Sequence, residues 1–233
     1  MAARAGICAT LSLAGRVERP LPHPIPVRVG GFGGVQGLMD HMRDTGITHL
    51  IDATHPFAAG MSRNAIAAAA QAQIPLVALT RPAWTPGDGD TWQCVPDMDA
   101  AVASLAGAPQ KIFLAIGRQS LGKFASAPQH FYLLRLVEAP TSPLPFPDHH
   151  VVLDRGPFAY DGDLALLRTH RIGRVIAKNS GGTAARAKLD AARALGLPVT
   201  MIDRPQLPPR AEVTSPQAVL DWVRAHESTL RGV

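Results

Sequence analysis

The chain has 233 residues, 46% of them hydrophobic and 18% charged, and can bury a substantial core in one large or two small domains. Its net charge of +5 favours an anionic partner, but the basic residues are scattered and form no nucleic-acid-binding arm. Aromatic residues amount to only 5%, which argues against stacking on single-stranded nucleic acid. An acidic small molecule is therefore the expected partner, although charge that serves only solubility explains the composition equally well.

Cysteine usage and hydropathy predict the compartment. Cys8 and Cys94 are far apart in the chain and lack metal-ligand spacing, so no metal site is expected. Isolated cysteines without a secretory apolar region indicate a reducing cytoplasm. No apolar run is long enough to cross a bilayer, so no membrane association is expected.

The predicted elements, in chain order, alternate between short apolar runs and alanine-rich helical stretches. Strands are expected within residues 6–15, 47–53, 74–82, 111–119, 130–140, 150–156, 174–182 and 197–205, and helices within 33–46, 57–73, 98–107, 164–172, 183–196 and 215–227. The turn-rich stretch 83–97 is expected to be a surface loop. Strands that alternate with helices predict an α/β fold with mostly parallel sheets. Two smaller sheets that meet around residues 107–125 are preferred over one large sheet.

The corners after the first two apolar segments suggest anion binding. Ligands of such folds bind beyond the carboxyl ends of the strands. In "SLAGR", Ser12 and Arg16 would accommodate a 2′-phosphate, which favours NADP(H) if this is a cofactor site; taken alone, an exposed arginine is the better explanation. In "VGGFGG", residues 29–34, free amides at a helix start would attract an anion, and a flexible turn is an equally good interpretation.

The stretch "IDATHPFA" places a carboxylate, a hydroxyl and an imidazole at one strand-to-helix corner. Pro56 suits the first turn of a helix, with Thr54 or His55 near its cap. The helix dipole would keep His55 neutral and able to donate to a substrate oxygen. Structural hydrogen bonds for Asp52 and Thr54, with His55 as an exposed cap, are the slightly favoured alternative when the motif is considered alone.

Three corners in the second half suit carboxylate or anion recognition. Arg118 and Gln119 follow a buried strand in "AIGRQSL", and Arg155 does so in "DRGPF", where bidentate arginine bonds would recognise carboxylates. Each arginine considered alone is a weak signal, because arginines are common at strand ends for solubility. In "AKNSGGTAARAKL", the amides of residues 181–183 at a helix start could hold an anion. The lysine of this motif precedes its glycines, so it is not a Walker loop and kinase or GTPase chemistry is excluded.

In combination these motifs resemble the precorrin-6A reductase family of cobalamin biosynthesis. The segments "VGGFGG", "IDATHPFAAGMSRNA", "IGRQ", "RGPF" and "AKNSGGTAARAKLDAARALGLPVTMIDRP" carry the resemblance, which runs from about Ser12 to the last helix. It implies two Rossmann-like α/β domains, which we expect at residues 1–110 for NADPH and 111–233 for the substrate. It also implies NADPH-dependent reduction of precorrin-6A, or its cobalt form, to precorrin-6B. This anionic tetrapyrrole-derived substrate would account for the scattered arginines.

The resemblance also implies roles for individual residues. Cofactor-binding residues would be Ser12, Gly15, Arg16, Gly31, Gly33, Thr54 and His55. Substrate-binding residues would be Arg118, Gln119, Arg155, Lys178, Asn179, Ser180 and Gly181. The candidate proton donors are His55 and Lys178, with water as a competitor.

Members of this family usually begin with a strand and a Gly-Gly-Thr turn before the segment that starts here at Met1. The resemblance therefore implies that this first βα unit, with its pyrophosphate-binding turn, is missing from the sequence. A shortened, non-catalytic relative that binds a tetrapyrrole or nucleotide is the alternative function. A different α/β enzyme acting on a phosphorylated metabolite is a third. A monomer is expected.

Overall fold

The structure is a computed structural model that describes residues 5–15 and 22–231. In chain order its elements are β1 (Leu11–Leu13), β2 (Val27–Val29), α1 (Val35–Asp44), β3 (Leu50–Asp52), α2 (Ala59–Ala72), β4 (Leu76–Leu79), β5 (Trp92–Val95), α3 (Met98–Ala103), β6 (Lys111–Ala115), a 3₁₀ helix (Arg118–Ser126), β7 (Phe131–Leu136), β8 (His149–Leu153), α4 (Tyr160–Thr169), β9 (Arg174–Lys178), α5 (Ala187–Ala194), β10 (Val199–Ile202), β11 (Ala211–Val213) and α6 (Pro216–Arg231). Among the residues described, no helix has both the length and the apolar character that a membrane span requires.

The chain forms two compact units, residues 1–81 with 206–233 and residues 82–205. This division differs from the predicted domains 1–110 and 111–233. Strand β5 pairs with β10, which brings the residues after 81 into the second unit. Strand β11 pairs with β4, which returns the C-terminal segment to the first unit. Long-range pairing of this kind has no local signal in the sequence.

The first unit contains a two-stranded sheet, β1-β2, and a three-stranded sheet in the order β11-β4-β3. Helices α1 and α2 pack together through Leu38 and Met42 of α1 and Ala65 and Ala68 of α2, all of them buried. The spacing of these residues by three or four positions puts each pair on one helix face. The small alanine side chains of α2 permit the close approach.

The second unit is built on a six-stranded sheet in the order β5-β10-β9-β6-β7-β8. Its central strands are buried on both faces, with Phe113, Leu133, Val175 and Met201 fully enclosed in the core. Every strand pairing in the described part of the chain is parallel, which confirms the predicted α/β fold with mostly parallel sheets. Near-continuous apolar runs are typical of such doubly covered strands.

The strands that the sequence patterns do not predict are short, and two helices begin at later residues than predicted. Strands β2, β5 and β11 were not predicted, and the loop prediction for 83–97 is wrong over Trp92–Val95, where β5 forms the sheet edge. Helix α2 begins at Ala59, and α5 begins at Ala187 and not at 183. Residues 183–186 instead form a turn in which the amide of Arg186 donates to the carbonyl of Thr183 at 3.1 Å.

Candidate cofactor and substrate sites

The glycine segment from Gly30 to Gly34 lies between β2 and α1. The Arg28 guanidinium donates to the carbonyl oxygens of Gly30 at 2.6 Å and Gly31 at 2.7 Å, and lies 4.0 Å from the centre of the Phe32 ring. Because a trans peptide holds its N–H opposite its C=O, these bonds turn the next two amide N–H groups away from Arg28. The segment therefore presents backbone donors on the side that Arg28 does not cover.

Contacts with the described residues do not require glycine at these positions. Gly30, Gly33 and Gly34 have φ values of 124°, 79° and 95°, which favour glycine. A Cβ built on these three or on Gly31 would meet no described atom within 4 Å. The backbone is thus open to close approach, which is the property that a segment cradling a phosphate needs.

Ser12 and Arg28 are register partners in the parallel β1-β2 pair. An Nη1 of Arg28 donates to Ser12 Oγ at 3.3 Å, so a hydroxyl and a guanidinium lie side by side at this sheet. Gly15 follows β1 with a φ of 72°, and a Cβ there would lie 3.2 Å from a methyl group of Val29. The predicted partner Arg16 lies outside the described residues. The sequence motifs did not indicate Arg28 as a site residue, although it lies close before the glycine segment.

The carboxylate of Asp52, at the end of β3, organises the "DATHPF" corner. Its Oδ1 accepts hydrogen bonds from the Thr54 amide at 3.1 Å and the Thr54 hydroxyl at 2.7 Å. Its Oδ2 accepts from Ser62 of α2 at 2.6 Å and from Arg210 at 2.5 Å. Burial by itself would raise the pKa of Asp52, but the bonds from Ser62 and Thr54 and the charge of Arg210 lower it overall.

The His55 imidazole is exposed at the same corner. Its Nδ1 accepts a hydrogen bond from the Phe57 amide at 3.2 Å, so the proton of the neutral ring lies on Nε2. Pro56 and the two residues before it do not cap α2, because the helix begins at Ala59 with no side-chain cap. The predicted dipole effect on His55 therefore loses its geometric basis.

In the second unit, the corners after β6 and β9 meet where the strand order reverses. Strand β6 is flanked by β7 on one side and β9 on the other, and Ala115 pairs with Ala177 near the carboxyl ends. Lys178, at the end of β9, donates to Ser120 Oγ at 3.1 Å, just past the end of β6. Open α/β sheets bind ligands at such switch points. The structure therefore brings together two of the corners singled out in the sequence.

Arg118 and Arg155 lie beyond the carboxyl ends of different strands of this sheet. Arg118 and Gln119 are exposed in the first turn of the 3₁₀ helix, and Arg118 donates to Thr141 Oγ1 at 2.7 Å. Arg155 follows the edge strand β8, two strands away from β6. Its side chain is exposed and its amide donates to Asp154 at 2.8 Å. The two guanidinium groups thus lie after different strands.

The side chain of Asn179 faces inward. Its Oδ1 accepts from the Trp84 amide at 2.8 Å, and its Nδ2 donates to the Trp84 carbonyl at 2.9 Å. These two bonds copy the pairing of a β-bridge and hold the segment at Trp84 against the sheet. The residues on either side of Asn179, Lys178 and Ser180, are half-buried.

Gly181 and Gly182 are also used in packing. A Cβ on Gly181 would lie 2.2 Å from the carbonyl oxygen of Pro82 and 2.4 Å from an Nη of Arg204. The carbonyl of Gly182 accepts from the indole N–H of Trp84 at 2.7 Å. Because α5 begins at Ala187, the amides of 181–183 do not form a helix N-terminus, and the anion site predicted there has no helical support.

A buried charge cluster lies beneath this corner. Arg135 and Asp163 form an ion pair with side chains 8% and 3% exposed, and the Lys188 ammonium lies 4.9 Å from the Trp84 ring centre. Lys188 also donates to the Ala185 carbonyl. Burial, followed by the charge of Arg135, lowers the pKa of Lys188 to about 8. Helical periodicity gives no warning of a lysine on the buried face of α5.

These features define an α/β protein of parallel sheets in which glycine-containing and polar segments follow the carboxyl ends of strands, where ligands of this fold class bind. A family model described as Precorrin-6x reductase CbiJ/CobK matches residues 1–224. Precorrin-6A reductase of Rhodobacter capsulatus is 54% identical over 228 residues, covering 98% of this chain and 91% of that protein. The Rhodococcus erythropolis precorrin-6A reductase is 46% identical over 219 residues, covering 94% and 88%. A solved structure of CobK precorrin-6A reductase has a TM-score of 0.90 and 53% identity, covering 93% of this chain and 86% of that one.

The chain belongs to the precorrin-6x reductase family and is an oxidoreductase, which confirms the resemblance drawn from its motifs. Membership implies a reduced nicotinamide cofactor and a precorrin substrate. The roles of the individual site residues stay predictions.

Proposed function

We propose that this protein reduces precorrin-6A to precorrin-6B in corrin ring biosynthesis, with NADPH as the reductant. The observation that carries the proposal is the reductase family match over residues 1–224. The cobalt-containing form is the alternative substrate, because it bears the same carboxylates. A monomer in the cytoplasm remains our prediction.

The first unit fits a phosphorylated dinucleotide. The glycine segment, with Gly31 and Gly33, offers an open backbone and outward-turned amides for a phosphate. Ser12, Gly15 and Arg16 would hold the 2′-phosphate, and Arg28 adds a cation beside Ser12. When bound, NADPH supplies the hydride that reduces a macrocycle carbon.

The second unit fits the carboxylates of the macrocycle. Lys178 ends the central strand β9 and Ser180 follows it, while Arg118, Gln119 and Arg155 are exposed beyond the carboxyl ends of β6 and β8. Lysine and arginine give charge-assisted hydrogen bonds to carboxylates. In this proposal Asn179 and Gly181 serve the substrate indirectly, since Asn179 bonds to the Trp84 backbone and Gly181 packs against Pro82.

Two side chains are proposed as sources of the proton that accompanies the hydride. His55 would donate through Nε2, since its Nδ1 accepts from a backbone amide. The Lys178 ammonium, which lies at the strand switch point, would donate directly.

Loss of a general acid lowers kcat by roughly 100-fold or more. We expect one of His55→Asn and Lys178→Met to do so, and water supplies the proton if neither does.

The cofactor assignment is tested by fluorescence titration with NADPH and NADH. We expect NADPH to bind more tightly, and Arg16→Ala to weaken NADPH about tenfold or more while leaving NADH unchanged, as loss of one phosphate contact requires. The control Arg43→Ala removes an exposed arginine of α1 whose ion pairs, within the described part of the chain, are with Asp40 and Asp44. Equal affinity of the unaltered protein for both cofactors would remove the NADPH assignment.

The reaction itself is tested by mixing the protein with precorrin-6A and NADPH without oxygen. We expect loss of NADPH absorbance matched by formation of one equivalent of precorrin-6B. The non-catalytic alternative predicts binding of the macrocycle with no NADPH oxidation. Comparing metal-free with cobalt-containing substrate by kcat/KM would identify the natural form.

A further inference from the structure

Arg210 connects the C-terminal segment to the end of β3. It lies just before β11, and its side chain is only 10% exposed. Its Nη1 donates to Asp52 Oδ2 at 2.5 Å, and its Nε donates to Glu212 at 3.1 Å. The Asp52 side chain is 2% exposed, whereas the Glu212 side chain is 49% exposed. One arginine therefore joins a buried anion to an exposed one.

Asp52 fixes the start of the corner that presents His55. The Thr54 amide and hydroxyl both donate to Oδ1, while Ser62 and Arg210 share Oδ2. Beyond Thr54, the Phe57 amide donates to the His55 ring and the Ala58 amide donates to the His55 carbonyl at 2.7 Å. The turn is thus tied to the fold through the carboxylate of Asp52.

A buried carboxylate needs a cation or several donors to stay charged and fixed. Without the arginine, three neutral donors from Thr54 and Ser62 remain for a carboxylate shielded from water. The carboxylate then gains from turning toward solvent or taking up a proton, and either change weakens its hold on Thr54. The charge of Arg210 opposes both changes.

We propose that Arg210 is a positioning residue of the cofactor-side corner, acting through Asp52 to hold Thr54 and His55 in their reactive arrangement. The inference rests on the proposed function only for what the corner binds. It assigns the segment between β10 and β11 a part in cofactor binding. The positional effect on the corner itself does not depend on the identity of the ligand.

The test compares Arg210→Met with two matched controls in the full chain. Glu212→Gln removes the exposed partner of the same arginine and leaves its bond to Asp52. Arg63→Gln removes a 3.0 Å bond from α2 to the Gln206 carbonyl, a different link to the same segment. Each variant is measured by the Kd for NADPH and by amide hydrogen exchange over residues 53–58, in which every residue except Pro56 carries an exchangeable amide.

For Arg210→Met we expect exchange at residues 53–58 and the Kd for NADPH each to rise about tenfold, the factor that one charge-assisted hydrogen bond represents. Exchange in α1 should stay unchanged. Both controls should match the unaltered protein, and Arg210→Lys, which keeps the charge but lacks the planar fork, should recover part of the effect. If Arg210→Met does not fold, Arg210→Lys against Glu212→Gln makes the same comparison.

Unchanged exchange at residues 53–58 in Arg210→Met would overturn the proposal, as would equal acceleration by Arg63→Gln. Faster exchange with an unchanged Kd would also overturn it, because the corner would then move without consequence for the cofactor. Failure of the unaltered protein to bind NADPH would instead remove the cofactor assignment. The exchange data would still decide whether Arg210 holds the corner.

Discussion

The glycine segment after β2 in the first unit and the glycine corner after β9 in the second unit differ in what surrounds their glycines. A Cβ on Gly31 or Gly33 would meet no described atom within 4 Å, whereas a Cβ on Gly181 would lie 2.2 Å from the Pro82 carbonyl oxygen. Both motifs are glycine-containing connections between a strand and a helix. One has glycines that leave its backbone open, and the other has a glycine that lets two backbones touch.

The polar residues of the two units show the same contrast. Both the oxygen and the nitrogen of the Asn179 side-chain amide form hydrogen bonds with the Trp84 backbone, so this residue supports the fold. In the first unit the inward polar group is Asp52, and it holds a turn whose His55 side chain is exposed. A motif that looks like a ligand site can therefore be divided between residues that carry the scaffold and residues that face solvent.

Gly181→Ala should be the most damaging change to the second corner. The positive φ of 69° and the contact with Pro82 both oppose a Cβ. We expect the free energy of unfolding to fall by about 3 kcal/mol or more in urea titrations. The control Gly196→Ala, with a φ of 63° and no described atom within 4 Å, should lose only about 1 kcal/mol. Equal losses would show that packing at Gly181 is unimportant.

Asn179→Ala should follow, because it leaves the Trp84 amide and carbonyl buried without their partners. The expected loss of unfolding free energy is about 2 to 4 kcal/mol, measured by urea titration. Tryptophan fluorescence should change as the Trp84 segment loosens. Asn64→Ala, on α2 in the other unit, should cost within about 0.5 kcal/mol. An Asn179→Ala variant as stable as this control would refute the structural role.

Lys188→Met should stabilise the second unit near neutral pH. The folded-state pKa of about 8 lies below the ordinary 10.5, so at pH 7 the fold bears the cost of a buried charge. We expect a gain of about 1 kcal/mol, or roughly 2 to 4 °C in Tm. Between pH 8 and 10.5 the unfolded chain binds the proton that the folded protein has lost, so the unaltered protein gains stability as pH rises.

The advantage of Lys188→Met should therefore shrink across that pH window, as followed by thermal melts from pH 7 to pH 10.5. Lys123→Met, which removes an exposed pair with Asp99, is the matched control and should show no such pH dependence. A constant difference between Lys188→Met and the unaltered protein would contradict the buried charge.

Gly31→Ala should have the smallest effect on stability and tests the first corner. Its surroundings are open and its φ lies outside the range that strains a side chain, so the unfolding free energy should change by no more than about 0.5 kcal/mol. The Kd for NADPH should nevertheless rise severalfold, because a methyl group would keep a phosphate from the backbone. Unchanged affinity would argue against close approach at this position.

Local pattern in the sequence is sufficient for most of the regular elements and for the positions of the corners. The apolar runs around Phe113 and Val175 and the alanine-rich α2 have unambiguous periods, and the parallel α/β fold follows from their alternation. The three-residue strands β2 and β11 carry too few residues for a period to show. Strand β5 was hidden by the turn-forming residues that precede it.

By itself, the sequence determined the fold class, because strand and helix periods are local properties of the chain, and it indicated the family through the resemblance of its motifs and their order. Only the tertiary structure decided which motif residues face inward. Asp52 meets Arg210 across 158 positions and Asn179 meets Trp84 across 95, and neither distance leaves a signal in local pattern. A polar side chain takes its role from the donors and acceptors that folding brings to it, and those partners come from distant segments.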